Sequence, residues 1–95
     1  MPRYLIERVW NSTDEEEMAA KGPLSKRILE EDEQFSRVSW EHSHVVMDEK
    51  GQLKSFCVYS SPSTELIREH AALLGDHTIY GIYEIGGDIS PDDFA

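Results

Sequence analysis

Histidine is scarce in this chain, four residues in 95, and two of the four stand two apart in the stretch WEHSHVV, Trp40 to Val46. Residues at that spacing on a β-strand share a face, with side chains roughly 6–7 Å apart. Such a pair suits a shared ion: imidazole nitrogen is a good donor to nickel, zinc, copper or iron, and carboxylates such as Glu41, Glu69 or Asp76 are available to fill an octahedral shell. His42 and His44 are therefore the first candidate metal ligands. The pattern alone is also what two ordinary strand histidines look like, since no Cys-x-x-Cys pair and no His-Glu-x-x-His helix accompanies it. His70 follows Leu66 by four positions and Ile67 by three, which sets it beside the buried side of a helix. It is either a third ligand or a helix histidine hydrogen-bonded to the sheet. His77 follows Gly75-Asp76 at the start of a strand and is expected to be exposed.

A second constellation involves aromatic residues. Trp40 and Tyr59, with Cys57 and Glu7 nearby and Tyr80 and Tyr83 further on, are able to line a pocket for a small aromatic molecule. Within it His42 would act as general base and Glu7 as acid. By fold analogy alone this points to a cofactor-free, monooxygenase-like or isomerase-like enzyme, or to a carrier. The competing reading makes the aromatic stripe the core of a dimer, with Glu7 pairing Arg8 or Arg68. No Ser/His/Asp triad, phosphate-binding glycine loop or nucleotide fingerprint supports a more specific chemistry.

The elements that must position these residues follow from changes of period. RYLIERVW (Arg3 to Trp10) alternates, with Leu5, Glu7 and Val9 on one face and Tyr4, Ile6 and Arg8 on the other, as in a central strand. STDEEE signals a helix start, with Ser12 or Thr13 as cap and an acidic first turn that complements the helix dipole. Gly22-Pro23 is expected to interrupt that helix. A second strand spans about Arg37 to Met47, with Trp40 and His42 on one face, and DEKG (Asp48 to Gly51) makes a bulged hairpin into LKSFCVYS (Leu53 to Ser60). Closure at Asp48 and Gln52 places His44 opposite Phe56, His42 opposite Val58 and Ser43 opposite Cys57. In that register His42 and Cys57 point to opposite faces, whereas a slip of one residue would bring them together. SPSTELIREHAALLG is a helix capped by Ser61 or Ser63 and stopped by Gly75, and His77 to Ile85 forms the last strand.

The order β-α-β-β-α-β is that of a ferredoxin-like α+β fold, an antiparallel sheet with both helices on one face. Residues 1–95 form one such domain, with an acidic C-terminal tail from about residue 86. Tyr4, Ile6, Trp10, Trp40, Cys57, Tyr59, Tyr80 and Tyr83 are too many to fit beneath the helices, so a homodimer packed sheet to sheet, a dimeric α+β barrel, is expected to cover the other face. A domain of this size buries only about 60–65% of its unfolded surface, and an interface would add to its stability.

Nineteen acidic against nine basic residues give a formal net charge of −10, which disfavours nucleic acid or an anionic membrane as partner and favours cations. The single cysteine, Cys57, excludes an intramolecular disulfide. MPRYLIERVW lacks the features of a signal peptide, and no apolar run approaches the roughly 20 residues needed to cross a bilayer. A soluble cytoplasmic protein is the expectation.

Three segments carry a family resemblance: the opening MPRYLIERVW, the strand VSWEHSHVV, and the block FCVYSSPSTELIREHA, in which Phe56, Cys57, Val58, Tyr59, Pro62, Ile67, Arg68, Glu69, His70 and Ala71 are the most specific part. In this order they resemble a family of small bacterial ferredoxin-like proteins, long catalogued as a domain of unknown function, that includes nickel-binding proteins. The resemblance implies a homodimer that binds divalent nickel and sequesters it, with His42, His44 and His70 as the ligands to test. His44 stands where the family pattern leads one to expect tyrosine.

Overall fold

A computed structural model describes residues 1–94 of the chain. Strand β1 (Arg3–Trp10) is followed by helix α1 (Glu15–Glu31), strands β2 (Ser39–Met47) and β3 (Leu53–Ser60), helix α2 (Thr64–Leu74) and strand β4 (His77–Glu84), with short 3-10 turns at Glu33–Phe35 and Pro91–Asp93. The strands form one antiparallel sheet in the order β2-β3-β1-β4. This is the ferredoxin-like α+β fold. The alternation along β1 decides its orientation: Tyr4, Ile6, Arg8 and Trp10 are buried while the residues between them are half-buried. Tyr4, Ile6, Cys57 and Tyr59 pack with Phe35, Val38 and Ile67 into the core between sheet and helices. Full burial of an aliphatic side chain such as Ile6 or Ile67 contributes about 1.5–3 kcal/mol.

The hairpin between β2 and β3 has the register expected from its turn. Gly51 adopts φ 82°, a left-handed conformation that favours glycine, and the Asp48 and Gln52 backbones close the loop at 3.0 Å. His42 pairs with Val58, Ser43 with Cys57 and His44 with Phe56. Helix α2 is capped by Ser63, whose Oγ accepts from the Leu66 N–H, and it ends at Gly75.

Several local expectations need correction. Helix α1 runs unbroken through Gly22-Pro23. Pro23 and Ala19 are both exposed residues, and the Ala19 carbonyl is the group that loses its helical partner to proline. The cap of α1 is Asp14 rather than Ser12 or Thr13: its Oδ1 accepts from the N–H groups of Glu16 at 2.8 Å and Glu17 at 3.4 Å. Ser12 braces that cap by accepting from the Asp14 N–H. The aromatic set divides: Tyr4, Trp10 and Tyr59 are buried beneath the helices and Trp40 packs against the core, while Tyr80 and Tyr83 find no room there and are exposed.

The register between β2 and β3 shifts between Trp40 and His42, leaving Glu41 as the extra residue of a β-bulge. Trp40 and His42 therefore lie on opposite faces of the sheet. Trp40 turns to the helices and stacks on Tyr59, with ring centroids 6.2 Å apart, while His42 joins the open face.

Candidate functional sites on the two faces of the sheet

On the open face, β2 presents His42 and His44 side by side, both exposed, with ring centroids 5.3 Å apart. Their neighbours across the ladder are Val58 and Phe56, and beyond these Leu5 and Glu7 of β1. Glu7 pairs with neither Arg8 nor Arg68. It accepts from the Tyr83 hydroxyl at 3.3 Å and faces Lys54 Nζ at 3.8 Å. Gly81 makes the first contact possible, because any side chain there would collide with the Tyr83 ring.

Carboxylates do not gather around the imidazoles. Glu41 is held by the Arg3 guanidinium at 2.8 Å, and Asp76 by Lys21 at 2.8 Å; Glu69 lies on the exposed side of α2. Among the described residues no group of three or more His, Cys, Asp or Glu side chains is close enough to hold a metal. One chain thus offers two imidazole ligands on this face, and a complete shell needs water or a second chain.

The other face holds the remaining two histidines. His70 is fully buried. Its Nε2 lies 3.1 Å from Ser25 Oγ, its Nδ1 has no hydrogen-bond partner, and its ring meets Phe35 edge-on and Tyr59 at a tilt. Burial, assisted by the nearby positive charge of Arg8, lowers its pKa to about 4. The sheet stands between His70 and the His42/His44 pair, so the three expected ligands do not converge within one chain. His77 is half-buried rather than exposed, tilted against Trp10 with ring centroids 4.4 Å apart.

The tautomer of His77 follows from its partners. Arg8 Nη1, 2.8 Å from Nε2, has only protons to give, so Nε2 accepts and the ring is neutral, with its Nδ1–H donating to the Gly75 carbonyl at 2.9 Å. Burial foremost, with Arg8 adding to it, holds the His77 pKa below the usual histidine range.

Between α1 and the sheet lies a cavity of about 180 Å³. Trp40, Cys57 and Tyr59 line it, so three of the four expected pocket residues come together, although on the helix face rather than inside a dimer barrel. Glu7 and His42 are on the opposite face and supply no acid or base to this cavity. Cys57 is buried, and its thiol lies 3.5 Å from Ser55 Oγ.

Sequence reading gave Arg8 only the role of a candidate partner for Glu7, whereas it is 1% exposed and part of the cavity wall. The sign was its place in the alternation: positions 4, 6, 8 and 10 share one face, and the other three residues on it are Tyr, Ile and Trp.

Among the described residues no helix is long and apolar enough to cross a membrane. No curated protein matches the sequence. A family described as nickel responsive protein SCO4226-like matches residues 4–85, from the second residue of β1 to just past the end of β4. That span takes in the whole ferredoxin-like unit with both histidine sets, and the chain belongs to the SCO4226-like nickel responsive protein family.

Proposed function

We propose that this protein is a cytoplasmic divalent-metal-binding protein that takes up nickel through His42 and His44 and sequesters it. The observation that carries the reading is the pair of exposed imidazoles on the open face, 5.3 Å apart, in a member of a family named for its response to nickel. Two neutral imidazoles are suitable nickel donors, and an acidic chain of net charge −10 attracts cations. The second part of the proposal is a homodimer, in which two open faces meet and four imidazoles complete what one chain lacks. Support for it comes from the exposed Tyr80 and Tyr83 and from Val46 at the edge, apolar groups that a second copy would cover.

Native mass spectrometry of the untagged protein with and without nickel tests both parts, reading subunit number and bound ions together. The expected result is a dimer that gains nickel, with the gain lost in the His42→Ala/His44→Ala double variant. A monomer that takes up no nickel removes the proposal.

A further inference from the structure

Arg8 poses a problem that the metal reading does not touch. A guanidinium stays charged in any protein, and a buried charge is costly unless it is paired. None of the ion pairs among the described residues includes Arg8, although the chain has 19 acidic residues. Its contacts are the neutral His77 ring and the face of Tyr59, whose centroid is 5.6 Å from the guanidinium carbon. Nη2 is buried with no hydrogen-bond partner at all. Lys21, the other cation in the cavity wall, is committed to the Leu74 carbonyl and to Asp76, each at 2.8 Å. One uncompensated positive charge therefore belongs to the cavity.

The rest of the wall defines what could neutralise it. Trp10, Trp40, Tyr59 and Leu74 make the surface mainly apolar, and the hydroxyls of Ser25 and Ser55 are already hydrogen-bonded to protein partners. An inorganic phosphate dianion would meet one free cation and little else that donates. A monoanion with an apolar body matches both features. Size narrows the body further: an apolar cavity of about 150 Å³ is known to take one benzene ring, and this one measures about 180 Å³.

We propose that the cavity between α1 and the sheet binds a small aromatic monocarboxylate, its carboxylate paired with Arg8 and its ring held among Trp10, Trp40 and Tyr59. Val45, which is 63% exposed, stands at the outer side of the wall. This site is independent of the nickel reading, because His42 and His44 lie on the opposite face of the sheet.

Both tryptophans of the chain are in the cavity wall, so intrinsic fluorescence reports its occupancy. In metal-free buffer the untagged full chain is titrated with benzoate and with phenylacetate, and then with benzamide, which keeps the shape of benzoate but lacks its charge. The expected result is a saturable fluorescence change with at least one of the two acids, confirmed by calorimetry, and binding of benzamide at least tenfold weaker than that of benzoate. Arg8→Met should weaken acid binding by at least tenfold and the His42→Ala/His44→Ala variant should leave it unchanged. Should Arg8→Met fail to fold, Gly22→Leu provides the second variant: an added Cβ at this wall position meets no atom within 4 Å, and the larger side chain should reduce acid binding by filling the cavity. Benzamide binding as tightly as benzoate, undiminished binding in Arg8→Met, or saturation by inorganic phosphate with no response to either acid would each overturn the proposal.

Discussion

The two faces of the sheet use the same residue type in opposite ways. His42 and His44 stand exposed on an edge strand, with only each other as close aromatic neighbours. His70 and His77 sit among Arg8, Ser25, Tyr59 and Trp10, with their ring nitrogens directed into the protein. What separates the pairs is the cost of a positive charge. On the open face both rings meet water, and a metal ion is free to compete for the lone pairs. Beneath the helices a protonated ring would lose its hydration and meet Arg8, so the neutral form is enforced.

The largest effect that would break this contrast is the acid dependence of folding. The folded-state pKa of His70 is about 4, against about 6.5 when unfolded. The unfolded chain therefore binds the extra proton between those values, and stability is full above about pH 6.5 and falls as pH drops toward 4. Across that window the loss from this residue should approach roughly 3 kcal/mol, read from urea unfolding at a series of pH values. His77 is shifted in the same direction and adds to it. In His70→Gln the slope should flatten; a slope that flattened instead in the His42→Ala/His44→Ala variant would reverse the assignment of the two faces.

Nickel affinity comes next. The double variant on the open face should bind at least tenfold more weakly, about 1.4 kcal/mol, in calorimetry on untagged protein. His70→Gln should leave that affinity intact, and a loss confined to it would move the metal site beneath the helices. A smaller effect tests the helix that holds His70: Ser63→Ala removes the α2 cap and should cost about 1 kcal/mol of stability with nickel binding unaltered. Smallest is Tyr83→Phe, which deletes one exposed hydrogen bond to Glu7 and should change the unfolding free energy by about 0.5 kcal/mol.

The fold was legible because its signals are local. Alternation in β1, the Asp48–Gly51 turn with its left-handed glycine, and the Ser63 cap and Gly75 stop of α2 each depend on a few adjacent residues, and each is found as expected. Pro23 misled because the effect of a helical proline depends on which side of the helix it occupies, and only packing decides that. The bulge at Glu41 has no compositional mark either, so simple alternation placed Trp40 with His42. The sites were legible in part. The His42/His44 pair is visible as spacing, and of the aromatic stripe Trp40, Tyr59, Tyr80 and Tyr83 only the first two reach the cavity, beside Cys57. Arg8 was hidden for a different reason: a charged residue in a strand is ordinarily assigned to water, and only the buried register of its neighbours marks it as an exception.

Both outer strands of the sheet share one more feature. The register of β2 skips Glu41 against β3, and that of β4 skips Tyr80 against β1, so each free edge carries a bulge. A bulged edge twists away and offers an interrupted row of N–H and C=O groups, a poor template for a strand from another molecule. Continuous growth of the sheet from copy to copy into filaments is thereby discouraged at both ends.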